Sequence, residues 1–349
     1  MRSLTIAITP LLLAVAACAQ DSYDIRVYAC PRADGPIAID GVLDEAAWQR
    51  APLSGDFTFY NKPELIEPQT GLMVTWDDAH IYFGVVCPEP NLDKLTQVGH
   101  ARDSREVFHG ETIEIFVDPD HDQGVYYQFG INAAASIYDS VRTDPSWSAD
   151  VQAATSMGER AWMLEVAIPW ADMAWTPEAG QVVGFNVCRD RYLGTDRQWS
   201  NWSQTAANFH DPERFGHAVL SPDAIRLGEL EAEYRKGGRT GPIVFEGPPA
   251  LVDAAYRALA RRSLDHSAEL LAGIEGALVE DEQQGASEEL ARRLAAYRTE
   301  LSGFAEQVEG GEPLTPDAWH QMTARLAEMR AELDRVIWEA RLAALISTI

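Results

Sequence analysis

A β-sandwich followed by an α-helical bundle or coiled-coil hairpin is the fold class this sequence predicts, and three observations predict it. From Asp24 to Leu220, apolar and polar residues alternate in short runs that end in Gly, Pro or Asp clusters, as strands buried on one face do. Beyond Pro249 the apolar spacing changes to alternating threes and fours, the period of helices with one apolar seam. Between these regions lies RKGGRTGPIVFEGPP, Arg235 to Pro249, whose Gly and Pro content reads as a linker. The expected divisions are residues 1–20, 21–225, 226–249 and 250–349.

Residues 1–20 read as an export signal. Arg2 precedes an apolar run from Leu4 to Ala17, broken only by Thr5, Thr9 and Pro10 and too short for a comfortable membrane span. Val15-Ala16-Ala17-Cys18 resembles the lipobox of bacterial lipoproteins, in which Cys18 carries the lipid; simple cleavage near Ala19 is the other reading. Either places the protein outside the cytoplasm, at the cell surface or in the periplasm. Any membrane contact would then run through the lipid alone. With Cys18 set aside, Cys30, Cys87 and Cys188 remain, enough for one disulfide whose pair the sequence does not choose.

Strands are expected at Ile25 to Ala29, Leu72 to Trp76, His80 to Cys87, Thr112 to Val117 and Val125 to Ile131. Further strands are expected at Ala134 to Asp139, Ala161 to Ile168, Val182 to Arg189 and Gly216 to Leu220. Asp77-Asp78-Ala79 suits a hairpin between the second and third. Alternation sorts the faces: Ile113, Ile115 and Val117 point one way, with Tyr127, Phe129, Ile131, Leu164, Val166 and Ile168 on matching faces of their own strands. The opposite faces carry Glu114, Gln128, Asn132 and Glu165 at mid-strand, where a plain solvent face more often carries Thr, Lys or Ser.

Three helices follow. The first runs from about Ala250 to Asp281; the second sets Leu290, Leu294, Tyr297, Leu301, Phe304 and Val308 on one seam; the third opens at Thr315-Pro316-Asp317, a good cap and first turn. Its seam holds Trp319, Met322, Leu326, Met329, Leu333, Val336 and Ala340. A bundle packing on itself and a seam for a second copy or a protein partner both satisfy this pattern.

The chain's 349 residues suffice for a sizeable core, and its 28 basic against 54 acidic residues give a net charge of -26. So acidic a protein has no use for nucleic acid or for direct attraction to anionic lipid. A neutral ligand suits it.

Ile37 to Trp48, IAIDGVLDEAAW, joins a short apolar strand to an Asp40-Gly41 turn and a brief helix that Asp44 is placed to cap, with Trp48, Leu43 and Ala47 on one face. The order Ile39, Asp40, Gly41, Leu43, Asp44, Glu45, Trp48 resembles the opening signature of family 9 carbohydrate-binding modules. Four later segments fall where that family has them: VTWDDAHIYFGV from Val74, ETIEIFVDP from Glu111, YYQFGIN from Tyr126 and FHDPERFGHAVL from Phe209. The resemblance implies a jelly-roll-like sandwich that binds sugar without catalysis, as an accessory to polysaccharide-degrading enzymes. It implies a sugar held between two rings: Phe108 matches the first, and Trp199 or Trp202, in the polar stretch RQWSNWSQ, matches the second. Glu114 and Asn132 match the polar partners on the sheet, with Asn186 and Arg189 as further candidates. The chain departs from the family in offering Phe for the usual Trp and Gly130 for a basic side chain.

The chemistry fits that role. Indole and phenyl rings offer an apolar plate to the C–H face of a pyranose, while carboxylates, amides and guanidinium groups bond its hydroxyls. Packing under the loop is the other reading of the two indoles, and structural hydrogen bonding that of Glu114 and Asn132. Asp118, Asp120 and Asp122 stand on alternate residues of a turn, as calcium ligands or as a solvated acidic loop; calcium accompanies the family.

Other classes have thinner support. Glu111, Glu114 and Glu165 are candidate carboxylates for a glycoside hydrolase, which needs a pair roughly 5–9 Å apart. His109 beside them is a candidate base. A b-type haem would draw on Met73, Met157, His80 and His100, which no spacing pairs. A structural surface role, with the helices docking a partner, is the main alternative to sugar binding.

Overall fold

The computed structural model describes residues 23–95, 97–193, 196–280 and 288–347. The expected signal segment and Cys18 lie outside the described residues. Strand β1 (Ile25–Cys30) is followed by helix α1 (Ala46–Arg50), the two-residue β2 (Thr58–Phe59), β3 (Gly71–Trp76) and β4 (His80–Pro88). Next come β5 (Thr112–Asp118), β6 (Tyr127–Asn132), β7 (Ile137–Val141), β8 (Gln152–Met157), β9 (Ala161–Pro169) and β10 (Val182–Leu193). β11 (Asp196–Asn201) and β12 (Gly216–Leu220) precede helices α2 (Ala224–Glu229) and α3 (Glu231–Tyr234), then β13 (Ile243–Glu246). Three long helices end the chain: α4 (Pro249–Glu280), α5 (Glu288–Glu309) and α6 (Pro316–Ser347).

The strands form two sheets. The larger runs β13-β1-β12-β10-β5-β6-β7, with β11 on β10 and β2 on β11; the smaller runs β3-β4-β9-β8. Their inner faces share one core, in which Leu72, Val74, Phe83, Val85, Leu164 and Val166 meet Ile113, Ile115, Val117, Phe129, Ile131 and Phe185. The two-residue alternation drives this: each strand loses its apolar half from water and leaves its polar half outside. Asp77 to Ala79 close the β3-β4 hairpin as expected.

Strand β10 organises the larger sheet. One edge pairs with β5 from Gly184 to Asp190. The other edge pairs first with β12, from Val182 to Phe185, and then with β11, from Cys188 to Leu193. Where the two partners part, Asn186 closes the gap: its side chain donates to Ser203 O at 2.7 Å and accepts from Ser203 N at 2.9 Å.

Several expectations are corrected. The stretch holding Trp199 is a strand, β11, and not a loop; it escapes notice because RQWSN is polar on both faces. Edge strand β8 (QAATSM) likewise shows little apolar alternation. The segment 226–249 is not a linker, since β13 pairs in parallel with β1 through Ile243, Val244, Phe245 and Glu246. Asp44 does not cap α1, which has no side-chain cap; Asp40 Oδ1 instead accepts the Val42 amide. Cys30, Cys87 and Cys188 are buried free thiols, so no disulfide joins them.

The helices do not form a separate body. Leu259, Tyr256, Tyr297, Leu301, Trp319, Met322 and Leu326 share one apolar cluster with Ile25, Val27, Val219 and Ile243 on the outer side of β1, β12 and β13. Leu294, Tyr297, Leu301 and Val308 of the α5 seam and Trp319, Met322, Leu326, Met329 and Leu333 of the α6 seam are thereby buried within the chain. Thr315 caps α6 as expected, its Oγ1 accepting from Ala318 N at 3.2 Å.

Candidate functional site

The helices cover one end of the larger sheet's outer face, and a cleft of about 450 Å³ opens on the part formed by β5, β10 and β11. Its walls are Tyr60, Phe108, Tyr192, Trp199 and Phe209; its floor holds Glu114 and Asp190; His109, Ala207 and Asn208 complete it. The register explains the grouping. Cys188 lies opposite Glu114 and Asp190 opposite Trp199, so side chains two residues apart on β10 share a face with both.

Phe108 reaches the cleft from the single-turn helix Arg105–His109, which Ser104 begins by accepting the Glu106 amide at 3.3 Å. Its ring lies directly over Gly130 of β6, where a Cβ would stand 2.6 Å from Phe108 Cε1. Gly130 is thus the room the ring needs. Tyr138 holds the ring from the side, edge to face at 4.9 Å between centroids. Across the cleft, Trp199 stands perpendicular to Tyr192 at 5.9 Å, and 36% of its surface is exposed. Tyr60 and Phe209 meet edge to face at 6.1 Å.

The two floor carboxyls are buried beside each other on neighbouring strands, and Asp190 Oδ1 has no hydrogen-bond partner. Gln128 Nε2 donates to Glu114 Oε2 at 2.5 Å, and Ser140 Oγ donates to Gln128 Oε1 at 3.2 Å, which fixes the amide's orientation. Burial pushes the Glu114 carboxyl up to about 7, against the lowering effect of Gln128 and Asp190. Asp190 is held well above the usual carboxylate range by burial first, then by the negative charge of Glu114. Two buried acids side by side resist ionising together, so the pair keeps a proton to a higher pH than a lone carboxyl would.

Of the expected sugar-binding residues, Phe108, Glu114 and Trp199 therefore meet. The others do not line the cleft. Trp202 is a core residue, stacked on Phe185 at 4.3 Å with its Nε1 donating to Ser54 Oγ. Gly216 makes that possible, because a Cβ there would lie 2.2 Å from the indole. Asn132 is consumed by its own turn, donating to Val98 O and accepting from Ala134 N and Ser136 N. Asn186 bridges the strand gap, and Arg189 points to the opposite face, where it bonds Glu111 at 3.1 Å. Asp190 and Tyr192 were missed because the strand was expected to stop at Arg189; continuing its alternation two steps beyond Cys188 finds both.

The hydrolase and haem candidates disperse. Glu111 pairs with Arg189, and Glu165 belongs to the other sheet, where it accepts from Trp48 Nε1 and the amides of Asp40 and Gly41. His109 bonds Glu106 at 3.0 Å. Met73 packs with Trp48 and Tyr82, His80 lies beside Tyr82, and Met157 is exposed on β8.

Asp118, Asp120 and Asp122 each bring one oxygen within 4.8 Å of the others. Asp118 Oδ2 accepts the Gln123 amide, while its buried Oδ1 has no hydrogen-bond partner. A buried orphan oxygen facing two more carboxylates fits a hard cation such as calcium.

A two-sheet sandwich with a concave, ring-walled cleft and convergent polar groups is the architecture of a small-molecule binding module. The chain belongs to the family described as carbohydrate family 9 binding domain-like, which matches residues 39–222. It is 26% identical over 192 residues to endo-1,4-beta-xylanase A of Thermoanaerobacterium saccharolyticum, a match covering 54% of this chain and 16% of the xylanase. Exoglucanase XynX of Acetivibrio thermocellus is 25% identical over 192 residues, again 54% of this chain and 16% of that protein. The chain thus spans a small part of the length of these relatives. A solved carbohydrate binding module family 9 from Caldicellulosiruptor kristjanssonii in complex with glucose is similar at 17% identity and a TM-score of 0.44, covering 56% of this chain and 95% of that one. One from the same organism in complex with cellotriose gives 17% identity and a TM-score of 0.42, covering 56% and 93%.

Proposed function

We propose that this protein binds a carbohydrate without transforming it, as an exported, lipid-anchored module at the cell surface. The observation that carries the reading is the meeting of Phe108, Trp199 and Glu114, far apart in sequence, around one cleft. A pyranose laid on the exposed Trp199 ring buries its C–H face, and the floor carboxyls accept its hydroxyls. Family membership supports a sugar as the ligand. Export and the lipid anchor rest on residues 1–20, above all Cys18.

Membership of a family of carbohydrate-binding domains supports a non-catalytic role.

Calcium at Asp118, Asp120 and Asp122 would offset most of the charge of three acids and lock the turn between β5 and β6. Its part is structural. Saturating calcium should raise the melting temperature, and Asp118→Asn should remove that rise. An equal rise in the variant contradicts the site.

Isothermal calorimetry of the intact protein against mono- and oligosaccharides tests the main reading. Saturable heat that falls at least about tenfold in affinity in Trp199→Ala supports it. A silent panel, or affinity untouched by the substitution, contradicts it.

A further inference from the structure

The charge of the cleft is unusual for a site that takes only neutral sugar. Five aromatic side chains wall it, two buried acids floor it, and neither Lys nor Arg lines it. Basic side chains nearby stand outside its lining. Arg189 and Arg191 point to the opposite face of β10, where they bond Glu111 and Glu89. Arg197 lies over the Tyr192 ring at 4.8 Å, and Arg105 lines a second hollow, shared with Phe108, Glu114, Gln128 and Tyr138. His109 at the rim faces Glu106. What draws Glu114 toward ionisation is an amide and another acid, and no cation.

A neutral ligand filling this cleft would exclude water from the floor carboxyls, of which Asp190 Oδ1 already lacks a hydrogen-bond partner, without offering a counter-charge to either on ionising. A ligand carrying an ammonium group supplies the missing charge. The surrounding rings favour it as well, since their π faces attract cations.

We infer that the cleft selects an amino sugar with its nitrogen free and protonated, such as a β-1,4-linked glucosamine oligomer, over neutral and N-acetylated sugars. This rests on the carbohydrate reading above and specifies its ligand. The ammonium sits against Glu114 and Asp190 while the ring stacks on Trp199. Acetylation removes the positive charge and replaces it with an uncharged amide.

Calorimetry of the intact protein near neutral pH, with a glucosamine trimer, its N-acetylated counterpart, cellotriose and tetramethylammonium chloride as separate ligands, decides the matter. The glucosamine trimer should bind at least about tenfold more tightly than either neutral trimer. That lead should shrink in Asp190→Asn and in Glu114→Gln, and with added salt. The unsubstituted protein decides first, so a variant that fails to fold leaves the test intact. Equal or tighter binding of a neutral trimer overturns the inference and leaves carbohydrate binding standing. Binding of tetramethylammonium with no sugar bound, or no binding at all, overturns both.

Discussion

The two sheets of the sandwich each carry a glutamate at mid-strand on the outer face, and the molecule uses them in opposite ways. Glu165, on β9, is covered by the segment that opens the family signature: Trp48 Nε1 donates to one oxygen at 2.8 Å, and the amides of Asp40 and Gly41 donate to the other at 3.0 and 2.8 Å. The Asp40-Gly41 turn, with Gly41 at a φ of 85°, aims those amides inward. Glu114, on β5, has no such cover; Gln128 and Asp190 meet it, and the space above it stays open. A carboxylate sealed by three donors holds the fold together. One left at the floor of a cleft is available to a ligand.

The indoles repeat the contrast within four residues of chain. Trp202 is packed between the sheets against Phe185, so Trp202→Ala should cost about 4 kcal/mol in urea denaturation, the largest effect expected. A loss under about 1 kcal/mol would mean that the ring is not core. Glu165→Ala comes next, because it strands three donors behind the 40–48 segment; about 3 kcal/mol is expected. If that variant loses no more than a surface acid would, the two glutamates do not differ as described.

Trp199→Ala should barely touch stability, by less than about 1 kcal/mol, while weakening sugar binding as set out above. The smallest effect is the pH dependence of Glu114. Its folded carboxyl titrates at about 7, above an unfolded carboxylate, so the stability it contributes is present in acid and is lost as pH rises through about 7. Asp190, shifted the same way, adds to this. Glu114→Gln removes the Glu114 share, so the melting temperature of the variant should gain on that of the parent between about pH 5 and pH 8. A constant difference contradicts the shift.

The sequence made much of this legible, for a plain reason. Two-residue alternation reports which face of a strand is buried, so Ile113, Ile115 and Val117 were assignable to the core and Glu114 to the other face. The same logic cannot tell whether a neighbouring segment folds over that other face, which is why Glu165 and Glu114 look alike in sequence. Trp202 was offered as a binding ring because the glycine that admits it to the core, Gly216, lies on a different strand and contacts it only in three dimensions. Asn132 and Asn186 looked like ligand groups because a side-chain amide serves a turn or a strand gap as readily as a sugar. The supposed linker hid β13 because a four-residue strand among glycines and prolines leaves almost no periodic signal.

The most direct test is a crystal structure of the protein soaked with an oligosaccharide. Sugar density stacked on Trp199, bounded by Phe108 and resting above Glu114 and Asp190, is the expected result. Sugar on the outer face of the smaller sheet, over the Glu165 side, or ordered sugar anywhere that leaves the cleft beside Trp199 empty, would contradict the account.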